Sequence, residues 1–164
     1  MHALTEKELR SSFVNASLRE RKALSLPDGF PDLTWDDLDF LAWRDRTLAG
    51  VGYVVAELDG RAVGIMLKQS GTRPRARAQC TWCETVDLPV DVRFYSARRA
   101  GDAGRRGDTL GTLVCEGFEC SANAHRRPPK RYAGTDADAV RAQRIEGLTE
   151  RVRRFVAAVL GNDR

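Results

Sequence analysis

The chain has 164 residues, 42% hydrophobic and 30% charged, with a formal net charge of +4. That balance excludes a disordered chain and suits one globular domain with a sizeable core. No apolar run reaches the length of a membrane-spanning helix, and Met1-His2-Ala3-Leu4-Thr5-Glu6-Lys7-Glu8 lacks the apolar stretch of a secretory signal, so no membrane partner and a cytoplasmic location are expected.

Thr5-Glu6-Lys7-Glu8 reads as a capping box, with the Thr5 hydroxyl on the Glu8 amide and the Glu8 carboxylate reaching back. Leu9, Phe13, Ala16 and Leu24 follow at helical spacing, which predicts a helix over about 6–24 that breaks near Asn15-Ala16-Ser17 or ends before Pro27-Asp28-Gly29. Asp36, Asp37 and Asp39 stand among Trp35, Leu38, Phe40, Leu41 and Trp43. The segment reads as a short amphipathic stretch with its acids in solvent. Val51–Leu58 and Arg61–Lys68 are rich in β-branched residues and flank Asp59-Gly60, the turn dipeptide of a tight hairpin. Residues 90–96 and 109–115 predict a second hairpin. Its connection, residues 98–108, holds three glycines and four arginines and reads as a flexible basic tip. It lacks the Lys-Ser/Thr ending of a phosphate-binding loop. A short helix is expected between Phe118 and Arg127, stopped by Pro128-Pro129. Thr135 or Asp136 can cap a final helix, with Val140, Ile145, Leu148, Val152, Phe155, Val156 and Val159 on one stripe.

All four cysteines fall in two pairs, Cys80-x2-Cys83 and Cys115-x4-Cys120, thirty-one residues apart. Two such pairs can close a four-thiolate shell around one structural Zn2+. The other readings of the pairs are buried free thiols or two disulfides, and the missing secretory signal argues against disulfides. His125, five residues past Cys120, is the substitute ligand. The order of paired cysteines, hairpin and ligand-bearing helix is that of a treble-clef finger. The fold class expected is therefore α+β: a four-cysteine treble clef at about 78–128, elaborated with an additional β-hairpin and with N- and C-terminal helices.

Charge is uneven, with net −4 over residues 1–60, +7 over 61–134 and +1 over 135–164. A four-thiolate zinc carries a formal −2, which nearby cations offset. With 23 arginines against 4 lysines, the surplus also reflects the coding bias of high-GC genomes, so it does not by itself imply nucleic-acid binding.

Several stretches together resemble the FBP domain of FusB-type elongation-factor-G-binding proteins, a fusidic-acid-resistance family. They are Leu4–Arg10 with Ser12–Asn15, Trp35–Asp45, Cys80-x2-Cys83, Arg99-Ala100-Gly101 with Gly104-Arg105, and Gly111–Cys115 leading to Cys120-Ser121. The resemblance spans about residues 4–160 and implies one FBP-type domain with a treble-clef zinc finger. It also implies a non-enzymatic protein that binds elongation factor G and promotes its release from the ribosome. The resistance proteins carry an additional amino-terminal helical domain, for which this sequence has no room.

The alternative function is RNA or ribosome binding through the basic tip. An enzyme is disfavoured, since His2 and His125 sit in no nucleophile or metal motif. The expected contact surface starts from the finger. Trp82 and Phe118 lie between ligands that must face the metal, so they are expected to project outward beside Arg105 and Arg106; the alternative is that Trp82 packs on the final helix and the arginines are merely solvated. A monomer is expected.

Overall fold

A computed structural model describes residues 1–71, 78–85, 91–128 and 136–161. Thr5 caps helix α1 (Glu6–Ser12) and Ser17 caps α2 (Leu18–Ala23), each through a complete capping box with the glutamate three residues on. The predicted 6–24 helix therefore breaks in the middle, at Phe13–Ser17. Asn15 is responsible. Its side chain donates to the carbonyls of Met66 and Arg98 and accepts from the Met66 amide, all at 2.8–2.9 Å. Those bonds require Asn15 to leave the helix and lie against a strand. Phe13 pairs with Gly64 in the same contact. A side chain at position 64 would meet the Phe13 ring at 3.1 Å, so glycine permits the approach.

The strands form one antiparallel sheet in sequence order: β1 (Leu41–Arg44), β2 (Val51–Leu58), β3 (Arg61–Gln69), β4 (Val92–Arg98) and β5 (Thr109–Cys115). The β2–β3 turn is Asp59-Gly60, with φ of 48° and 72°, the left-handed pair that a two-residue hairpin demands. The two predicted hairpins join through a short ladder, Lys68↔Ser96 and Gln69↔Tyr95. Two expectations need correction. The segment around Trp35 contains a single 3-10 turn (Trp35–Asp37) and then enters the sheet as β1, which the sequence reading missed. The basic tip between β4 and β5 is ordered into helix α3 (Gly101–Arg105). It is tied down where the Ala100 amide donates to the Val159 carbonyl.

Side chains alternate along the strands and divide the interior in two. Tyr53, Val55 and Met66 face α1 and the amino-terminal segment, with Leu9, Phe13, Leu41 and Trp43. Val54, Ile65, Leu67, Tyr95 and Val114 face the opposite way, toward the four cysteines and the final helix α5 (Ala137–Leu160). Asp136 caps α5 by accepting from the Asp138 and Ala139 amides. Leu148, Val152, Val156 and Val159 on its inner stripe are fully buried. Each contributes about 1.5–3 kcal/mol of apolar burial. No helix among the described residues is long and apolar enough to cross a membrane.

Candidate metal centre

Three pieces of the chain bring the cysteines together: a turn, and thirty-one residues later the end of one strand and the start of a short helix. Cys80 and Cys83 lie in a turn closed by the Glu84 amide on the Cys80 carbonyl at 2.9 Å. Thr81 fastens this turn to the outer edge of β5, its amide and hydroxyl both donating to the Leu113 carbonyl at 2.7 and 2.9 Å. Cys115 ends β5, and Cys120 opens the short helix α4 (Cys120–His125). Between them the chain reverses at Phe118, whose φ of 61° is left-handed. The Phe118 ring lies against Tyr95 and across Gly52, where a Cβ would sit 2.4 Å from the ring.

All four thiols are buried and unpaired, and their sulfurs lie within 4.8 Å of one another. Cys80 Sγ is 3.5 Å from Cys120 Sγ, and Cys83 Sγ is 3.7 Å from Cys115 Sγ. A tetrahedron of sulfurs 2.3 Å from a central zinc has edges of about 3.8 Å, so the donor set fits one tetrahedral ion and lies well beyond a disulfide contact. The chemistry of the shell agrees. Hydrogen bonds from Cys115 and then Cys120 draw Cys80 down to about 7 and hold Cys83 below the ordinary thiol range. Cys120 is pushed up by its bonds to Cys115, Cys80 and Cys83. Sulfurs packed this closely can serve together as thiolate ligands to one cation. Zinc held here would neutralise thiolate charge and fix the two turns to α4, with no position left for water or substrate. His125 is outside the shell, because its Nε2 lies 3.0 Å from Asp39 Oδ2, which also accepts from the Ser121 hydroxyl at 2.6 Å.

The expected contact residues divide. Arg105 at the end of α3 and Arg106, its C-cap, are exposed, and Arg105 pairs with Asp102. Trp82 and Phe118 are not outward-facing: they are 2% and 6% exposed. Trp82 does point away from the metal, but that direction leads into the core under α5. Its ring packs on Phe40, Phe118 and Phe155 with centroids 5.8–6.2 Å apart, and Arg151 Nε donates to its carbonyl at 2.7 Å. Sequence reasoning passed over two residues, one at the shell and one on the outer surface. Asn123 on α4 is buried beside the sulfurs. Phe94 on β4 is 42% exposed, one of three exposed large hydrophobics among the described residues. An aromatic in the outward phase of a strand, opposite a glycine-bearing partner, was the available signal for Phe94.

Residues 8–159 match the family model described as FBP C-terminal treble-clef zinc-finger. Among solved structures, the fusidic acid resistance protein FusC matches at 20% identity with a TM-score of 0.54. The match covers 75% of this chain and 53% of that one, so the chain spans about half the length of FusC. At that identity the likeness concerns the fold. No curated protein matches.

Proposed function

Since the chain belongs to the FBP C-terminal treble-clef zinc-finger family, we propose that it is a zinc-stabilised binding module that engages elongation factor G and promotes its release from the ribosome. Residues 4–160 act as one unit with the finger at about 78–128. The family match over residues 8–159 carries this reading. The closed thiolate shell supports it, because a saturated ion stabilises a surface and offers no site for chemistry. Fusidic acid resistance is in the name of FusC and stays with that protein.

The surface proposed for contact replaces Trp82 and Phe118 with Phe94 and keeps Arg105 and Arg106. Phe94 lies on the strand that leads into α3, on the face of the sheet that bears Lys68. Its ring lies across Gly111, where a Cβ would come within 2.2 Å of it. An exposed aromatic on β4 and two exposed arginines at the end of α3, carried by one stretch of chain, suit an acidic protein surface. The same combination favours stacked RNA bases as the second reading.

A pulldown with purified elongation factor G tests the proposal. Phe94→Ala and Arg106→Ala are each expected to weaken capture while zinc content and melting temperature stay near wild type. Unchanged capture in both variants moves the interface elsewhere. Salt-sensitive retention of ribosomal RNA without capture of the factor favours the second reading.

A further inference from the structure

Asn123 lies one helical turn beyond the ligand Cys120 and is 4% exposed. Its backbone amide is used inside the helix, donating to the Glu119 carbonyl at 2.9 Å. Its side chain is turned to the metal shell, with Nδ2 3.5 Å from Cys115 Sγ and 4.0 Å from Cys83 Sγ. With the sulfurs as thiolates, the amide nitrogen is the atom that faces them, because the oxygen would set its lone pairs against those of two sulfurs. An apolar residue of the same size would fill this space without desolvating an amide, so packing alone does not explain an asparagine here.

We propose that Asn123 tunes the metal centre: its side-chain amide donates to Cys115 and, over a longer distance, to Cys83, favouring both as thiolates and lowering their reactivity. The inference rests on the zinc reading of the four cysteines. A four-thiolate shell carries a formal −2 in a buried place, and an N–H directed at a sulfur spreads that charge without competing for the ion. Removing the donor leaves the sulfurs more basic toward protons and more nucleophilic toward electrophiles. The ion is then lost faster.

Asn123→Leu, which keeps the volume, and Asn123→Asp, which sets an acceptor against the sulfurs, form the test. Zinc transfer to a chromogenic chelator is expected to run about 10–100-fold faster in both, the usual range for partners that hydrogen-bond a metal ligand. In the cobalt-substituted proteins the sulfur-to-cobalt charge-transfer band should move to lower energy, while the ligand-field bands stay tetrahedral. A purely structural asparagine would lower the melting temperature of the leucine variant and leave the band energy where it was, which overturns the proposal. If neither variant folds, the wild-type protein loaded with cadmium-113 decides: the Asn123 side-chain amide proton should show scalar coupling to the metal, and its absence contradicts the proposal. A wild-type protein that takes up neither zinc nor cobalt overturns the metal-centre reading itself, and this inference with it.

Discussion

Asp45 has only 9% of its surface exposed, and a set of donors to both carboxylate oxygens makes this tolerable. Oδ1 accepts from the Thr47 amide and hydroxyl and from the Leu48 amide at 2.8–2.9 Å. Oδ2 accepts from the Tyr53 hydroxyl at 2.7 Å and the Ser25 amide at 3.2 Å. Burial raises the carboxyl, but these donors outweigh it and hold the group well below the usual carboxylate range. A depressed folded value means that the contribution to stability is present above the unfolded carboxyl value, about 4, and is lost as pH falls below it. Asp45→Ala should cost about 3 kcal/mol at neutral pH, and its deficit against wild type should shrink between about pH 4 and 2 in paired melts. A constant deficit would show that the charge is not what stabilises the loop. Trp82→Ala makes a contrasting prediction, since it removes a core ring: a loss of about 3–5 kcal/mol in denaturant unfolding, whatever happens to binding. Cysteine spacing disclosed the four sulfurs that the fold gathers within 4.8 Å of one another, because each pair is local in sequence. The burial of Trp82 was legible only as an alternative, because the side chain that covers it, Phe155, is brought by α5 from the far end of the chain.

At the scale of elements, the Thr5 capping box, the Asp59-Gly60 turn and the inner stripe of α5 could all be read from the sequence, since each is set by neighbouring residues. β1 could not, because a four-residue strand acquires its identity from the partner it pairs with, here Leu41↔Val55 to Arg44↔Gly52. Nor could α3. Three glycines suggested flexibility, yet Gly104 is buried, and a Cβ there would lie 1.7 Å from the Arg99 carbonyl oxygen. The glycine serves a close backbone crossing. Gly104→Ala is therefore expected to destabilise the protein by about 2 kcal/mol or more and to raise amide exchange over residues 99–108. Exchange and stability equal to wild type would mean that the tip is loose after all.

For the whole molecule, α5 is the element on which the parts converge. It buries Leu148, Val152, Val156 and Val159 against the sheet, takes the Ala100 amide on Val159, and sends Arg151 to the Trp82 carbonyl. The metal shell holds the turn that carries Trp82, so ion binding and α5 docking are coupled. Chelation, or Cys115→Ser, should abolish the near-UV signal of Trp82 and undock α5, because structural zinc binding is folding free energy. The core of Leu9, Phe13, Trp43 and Tyr53 lies on the other face of the sheet and should keep part of its structure. Near-UV spectra and melting temperature that persist after confirmed zinc removal would separate the two. Arg105 and Arg106 adjoin this coupled half, because the Ala100 amide that opens α3 is held by Val159 of α5, whereas Phe94 lies on the other face of the sheet with Met66 and Lys68. Partner binding should therefore depend on the ion. The most direct measurement is calorimetric titration of the zinc-loaded protein into purified elongation factor G, repeated with zinc-stripped protein. Saturable one-to-one binding that disappears on stripping and returns with stoichiometric zinc is the predicted result; no heat of binding from the fully loaded protein would contradict it.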